Sequence, residues 1–301
     1  MLFGQREIES MTRFKSQMLL LLLTVATTVT FFSTTHLPDQ NAIMSGCAVL
    51  LVFFSLALER RVPHQASWNQ SQGDTSGDIT MAVSVNVVLE SVLIWITPFI
   101  LLWLIGGYST GWIALSLPVE VLCVGLLIEF GAYVSHRLHH QTPHLWALHA
   151  MHHSPQRLYT LNNFRFHPLN YIINHSLMIV PAMMLGFSAQ AILGYNAIAL
   201  PILLLQHSNI DFRFGRLNAI LNTNEVHRWH HSAASQHSNV NLGRATVLFD
   251  RLFGTYWQPT PTTEPESVGL NAADKTYPAV RSLRAQMCHP FFHNCCRGTA
   301  S

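Results

Sequence analysis

The sequence predicts an all-α integral membrane protein: about four transmembrane helices, a re-entrant helical hairpin, and a helical, histidine-rich region at the cytoplasmic membrane edge. Three observations lead there. Only 11% of the 301 residues are charged against 49% apolar, whereas soluble domains carry about 25% charged residues; the mean hydropathy is +0.25. Apolar runs long enough to cross a bilayer recur through the first half of the chain. Among 18 histidines, the spacing HxxHH occurs three times, at His136/His139/His140, His149/His152/His153 and His227/His230/His231.

The elements follow in order. Residues 1–16 are polar and mildly basic (Arg6, Arg13, Lys15), and 18–32 are apolar and rich in threonine. A short apolar core behind positive charge also fits a signal peptide. No small-residue cleavage site follows, however, and a second apolar run, 42–58, arrives at once and ends in Glu59, Arg60 and Arg61. Two membrane helices joined by a short loop account for this better. Residues 62–78 form a polar linker whose Asp78 is expected to cap the next helix. The third span, 79–105, contains Glu90 and Pro98. A carboxyl at membrane depth is costly, so Glu90 either serves function or lies near the interface. A GGYSTGW turn leads to the fourth span, 117–135, which runs directly into His136. With four spans, the basic groups at 6–15, at 60–61 and at Arg137 fall on one side, which the positive-inside rule makes cytoplasmic. The apolar segment 171–205 is interrupted by Pro181, Gly186, Gly194 and Pro201 and ends at His207. Two helices dipping in and out would return His227 to the side of the first clusters; a single crossing would not. Three parts result: membrane helices and linker (1–84), the part that carries the histidine clusters (85–260) and a polar tail (261–301).

On a helix, positions i, i+3 and i+4 share a face, so each HxxHH is expected to present two or three imidazoles in one direction. Neutral imidazole ligates iron, zinc or copper. Three converging faces offer about eight nitrogens, more than the roughly four that one tetrahedral ion uses, so the count points to two metals. Glu129, seven residues before His136, lies on nearly the same helical face and is expected to accept an N–H from His136 or His140. His167, in an HP step, His175 and His237 are candidates for supporting or packing roles. Five cysteines make no disulfide framework. Cys288, His289, His293, Cys295 and Cys296 match no standard zinc spacing. A net charge of +2 with no basic stripe gives no reason to expect nucleic acid.

The text IEFGAYVSHRLHHQTPHLWALHAMHHSP, from 128 to 155, resembles the fatty acid hydroxylase / sterol desaturase superfamily of membrane-bound, histidine-rich di-iron oxygenases. It sets Glu129 ahead of HRxxH (His136, His140), then Leu145–Trp146, then HxxHH (His149, His152, His153). RFHP at 165–168, QHSNID around His207, HRWHH at 227–231, NLG at 241–243 and FDRLFGTY at 249–256 continue the likeness over roughly 85–260. Leu242 stands where the family more often has an aromatic, and His139 is an additional histidine. The resemblance implies His136 and His140 as ligands with His139 a neighbour or alternative. It also adds His207 to His149, His152, His153, His227, His230 and His231.

Zinc hydrolysis would call for a pattern such as HExxH, which is absent. Two non-haem irons with O2 as co-substrate suit attack on an unactivated C–H bond of a membrane lipid, giving an alcohol or an alkene. No CxxCH, GxGxxG or ferredoxin spacing occurs, so a separate electron-donor protein is expected.

Overall fold

The computed structural model describes residues 2–105, 115–237, 239–257, 263–271, 274 and 276–292, with side chains described from Met11 onward, Ile105 excepted. The GGYSTGW turn and His293, Cys295 and Cys296 lie outside the described residues. Among the described residues, eleven α-helices carry the fold. α1 (Leu2–Thr34) and α2 (Gln40–Arg61) come first. α3 (Thr75–Val83) passes through a π-helical stretch, Ser84–Leu89, into α4 (Glu90–Ile105). α5 (Leu117–Gln141) and α6 (Pro143–His153) meet at a bend opened by Pro143. α7 (Pro168–Met184), α8 (Ala189–Gln206), the short α9 (Asn224–His230), α10 (Leu248–Phe253) and α11 (Leu283–Cys288) complete it. Among the described residues, β pairing is limited to isolated bridges such as Pro63 with Ile210. The all-α expectation holds.

Among the described residues, five helical stretches are long and apolar enough to cross a membrane: Met11–Thr34, Gln40–Arg61, Thr75–Leu104, Leu117–Gln141 and Ala189–Gln206. Four are the expected spans and the fifth is the second arm of the expected hairpin. On α4, Trp95, Phe99 and Trp103 recur every four residues and are 74%, 64% and 84% exposed. A face that apolar and bare belongs against lipid. This is a membrane protein.

Several local expectations are corrected. α1 begins at Leu2, so the polar start is helical and continuous with the first span. Of the four breakers in 171–205, only Gly186 ends a helix, with φ of 81°. Pro181, Gly194 and Pro201 lie inside α7 or α8. Asp78 is not a cap: it sits in the first turn of α3, and its carboxylate accepts from the Arg165 guanidinium at 2.5 Å and the Tyr159 hydroxyl at 2.6 Å.

The core forms where α5 packs against α7 and α8, with α1 packed against α8. Leu20, Val121, Val124, Ile128, Tyr195 and Ile202 belong to one buried cluster, so α1 shares one core with α5 and α8. Close approach is set by glycine. A Cβ on Gly131 would collide with the Leu177 carbonyl of α7, and one on Gly125 with the Tyr195 ring of α8. Buried acids tie the connecting loops down. Glu59, at the end of α2, accepts from the Thr160 N–H, the Thr160 hydroxyl and the Asn209 N–H. Asp74 holds Arg157 through two bonds of 2.7 Å. Burial alone would raise the Asp74 pKa, but that guanidinium overrides it and holds the carboxyl below its usual range.

Candidate metal centre

Nine histidines form two adjoining nests. His136, His140, His149, His153 and His230 make one; His152, His207, His227 and His231 make the other, and within each the ligand-capable nitrogens lie within 4.8 Å of one another. These are the nine residues singled out from sequence. The nests share a wall: the rings of His153 and His231 stack with centroids 4.2 Å apart.

Each HxxHH keeps two of its three imidazoles together, within the expected two or three. The i, i+4 pairs stay together (His136/His140, His149/His153, His227/His231), while the intervening histidine turns away. Successive helical residues point about 100° apart. Each HH dipeptide of α6 and α9 therefore straddles both nests: His152 and His231 face one, His153 and His230 the other. The three HxxHH segments and His207, at the end of α8, thus build both nests.

Carbonyl acceptors fix the ring orientations. Nδ1 of His136 lies 2.8 Å from the Leu242 carbonyl, and Nδ1 of His230 lies 2.9 Å from that of Val240. Nδ1 of His149 meets Asn170 Oδ1 at 2.9 Å, and Nδ1 of His207 meets Asn162 Oδ1 at 2.8 Å. An N–H donated there leaves the Nε2 lone pair pointing inward. The Nε2 atoms of His136 and His149 are buried without any protein partner. His207 and His227 bring their Nε2 atoms to 3.0 Å, His227 and His231 to 3.2 Å, and His153 and His230 to 3.1 Å. Two nitrogens each about 2.1 Å from a shared ion, at right angles, would stand about 3.0 Å apart. The donor set and its spacing fit a metal in each nest. Burial first, and crowding by other imidazoles second, push the pKa values of His149, His152, His153 and His231 well below the ordinary value. Those rings are neutral, as ligands must be. The two metal-capable nests contain histidine alone.

Glu129 does not reach His136 or His140. Its buried carboxylate accepts from the Tyr195 hydroxyl, from the Ala245 and Thr246 N–H groups at 3.0 and 2.9 Å, and from the Thr246 hydroxyl at 2.8 Å. Asp250 grips the same loop through the Leu242 and Gly243 N–H groups at 2.7 and 2.8 Å. Two acids thereby position the loop whose Leu242 carbonyl orients His136. Asn241 enters it with φ of 54°, a left-handed conformation asparagine tolerates.

The remaining candidates lie outside the nests. His139 is buried, with Nδ1 2.8 Å from the Ser135 carbonyl, and its ring lies 5.5 Å from that of His149. His167 caps α7 through the Leu169 N–H and meets the Met287 carbonyl. His237 packs against Trp229 and Trp257. His175 contacts Glu90 and Thr97. Asn162 and Asn170 were missed from sequence, since single asparagines in NNFRFHPLN carry no spacing signature.

A cavity of about 440 Å³ reaches both nests, touching His136, His149, His152 and His227. Ile128, Met178, Ile179 and Leu200 give it apolar walls; Glu90 and Arg244 also line it.

The fatty acid hydroxylase family profile matches residues 121–255. "Ornithine lipid hydroxylase OlsE" from Rhizobium tropici is 31% identical over 268 residues, covering 87% of this chain and 78% of that protein. No solved structure matches the chain.

Proposed function

The chain belongs to the fatty acid hydroxylase superfamily, a family of oxygen-dependent oxidoreductases acting on lipids, and on that premise we propose that it is a di-iron lipid hydroxylase. The observation that carries this reading is the cavity between α5, α7 and α8 that touches histidines of both nests. His136, His140, His149, His153 and His230 would hold one iron, and His152, His207, His227 and His231 the other. Two irons so held supply the activation of O2 needed to attack an unactivated C–H bond. The protein's own part is orientation and exclusion. Carbonyls on Nδ1 keep the Nε2 lone pairs aimed inward, and the Ile128, Met178, Ile179 and Leu200 walls hold a substrate carbon near the centre while shutting out water. Residues 85–260 form the catalytic part.

Hydroxylation is favoured over desaturation because the matching family and the relative are both hydroxylases. The relative's ornithine lipid makes a lipid with an amino-acid headgroup the first substrate to try. Electrons come from a separate donor protein docking on the cytoplasmic face. Sidedness is supported by the basic groups at one end of the bundle. Gln17, near Arg13, donates to the Phe214 carbonyl, and the Val62 carbonyl, beside Arg60 and Arg61, accepts from Asp211. Arg137 lies in the α5 turns that carry the first histidines. The test is metal analysis of purified protein, followed by turnover with a reductant, O2 and membrane lipids read by mass spectrometry. Bound iron and a product heavier by one oxygen atom are expected. Absence of iron, with lipids unchanged, would defeat the reading.

A further inference from the structure

Apolar walls alone would suit a hydrocarbon chain, but the cavity also carries two opposite charges and several side-chain amides. Glu90 and Arg244 line it together with Asn86, Asn174 and Asn196. Glu90 stands at the junction of the π-helical stretch and α4. Its carboxylate lies 3.4 Å from His175 Nδ1, and Tyr171 lines the same cavity. Among the described residues, no lysine or arginine comes within ion-pairing distance of it. Thr97 sits 3.1 Å from His175 Nε2. Glu90 thus meets an imidazole but no lysine or arginine, and its side chain remains 32% accessible.

Arg244 is the complementary case. It lies next to Gly243, in the loop held by Glu129 and Asp250. Its Nη2 donates to Asn196 Oδ1 at 3.1 Å, and its guanidinium sits over the Tyr195 ring. Its Nη1 is buried without a partner, and among the described residues no carboxylate pairs with it. A carboxylate without a lysine or arginine partner and a guanidinium without a carboxylate partner, facing one low-dielectric cavity, are expensive unless a ligand completes them.

We propose that Glu90 and Arg244 read the headgroup of a zwitterionic aminolipid, Glu90 pairing with its ammonium and Arg244 with its carboxylate. This rests on the lipid-hydroxylase reading and deepens it by assigning substrate choice to two residues outside the metal nests. A neutral lipid would leave both charges unmatched, and an anionic phospholipid would answer Arg244 alone.

The test uses the full chain in nanodiscs and three probes sharing one acyl chain. N-palmitoylornithine carries both charges, N-palmitoylnorvaline lacks the ammonium, and N-palmitoylputrescine lacks the carboxylate. Binding is measured by native mass spectrometry, without turnover. The wild-type chain is expected to prefer N-palmitoylornithine over each of the others by about tenfold or more. Glu90→Gln should erase the preference over N-palmitoylnorvaline and keep that over N-palmitoylputrescine; Arg244→Gln should do the reverse. Equal wild-type binding of all three, or preferences untouched by both substitutions, overturns the proposal. Lipid turnover assayed in parallel separates the two readings. Hydroxylation without headgroup preference removes this inference alone, and preference without hydroxylation of any lipid removes the catalytic reading instead.

Discussion

Replacing Glu129 with glutamine should weaken one iron site far more than the other. The carboxylate is 3% exposed and accepts hydrogen bonds from Tyr195, the Ala245 N–H and both donors of Thr246. Glutamine keeps one acceptor oxygen. Its NH2 group must then face either the Thr246 donors or the Tyr195 and Ala245 donors, leaving a buried donor orphaned. An orphaned buried group costs about 1–3 kcal/mol, and loss of the charge-assisted bonds adds a similar amount. A penalty of roughly 3 kcal/mol corresponds to about a hundredfold shift in the loop's equilibrium. That loop supplies the Leu242 carbonyl to His136 Nδ1 at 2.8 Å. Loss of such an outer partner weakens metal binding about 10–100-fold. His227 of the other nest meets that loop indirectly, through Asn222, whose Nδ2 lies 3.5 Å from His227 Nδ1 and donates to the Gly243 carbonyl, so that site should be weakened less. The assay is iron content of Glu129→Gln equilibrated against a graded chelator: one tighter and one strongly weakened site are expected, with hydroxylation lost. Two sites of wild-type affinity would refute the positioning argument.

Three further outcomes follow from the same geometry. His152→Ala and His230→Ala each remove a ligand from a different nest, so both should abolish turnover with the protein still inserted; full activity in either, measured on reconstituted protein, contradicts the assignment. Gly131→Leu drives a side chain into the Leu177 carbonyl and should separate α5 from α7 at a cost of about 1–3 kcal/mol or more, read as a lowered melting temperature, whereas a surface Leu122→Ala should leave that temperature nearly unchanged. The pH dependence has a defined sign. Burial lowers the pKa of His149, His152, His153, His207, His227, His230 and His231, so below about pH 6.5 the unfolded chain binds more protons and stability falls with pH. At pH 7 those rings are already neutral, and iron uptake by calorimetry in buffers of different ionisation enthalpy should release almost no protons; seven unshifted histidines would release about 1.7.

The histidines of the two nests were legible because helical periodicity leaves a spacing signature, and because so many imidazoles in an apolar chain have no packing explanation. Which nest each joins was not, since the split of His152 from His153 depends on how α6 rolls against α9. The spans could be read from hydropathy, but the length of α1 could not, because a polar helix continuing a membrane helix shows no change of period. Glu129 looked like a partner of His136 by helical phase alone. The loop at 242–246, far away in sequence, takes its carboxylate instead. Asp78 looked like a cap because its partners, Tyr159 and Arg165, lie over eighty residues away. Buried polar pairs of that separation are invisible until the chain folds.

The most direct measurement of the central claim is anomalous scattering at the iron edge from the full chain loaded with iron. Two peaks are predicted, one among the imidazole nitrogens of His136, His140, His149, His153 and His230, and the other among those of His152, His207, His227 and His231. A single peak, or iron bound anywhere outside these nine side chains, would contradict it.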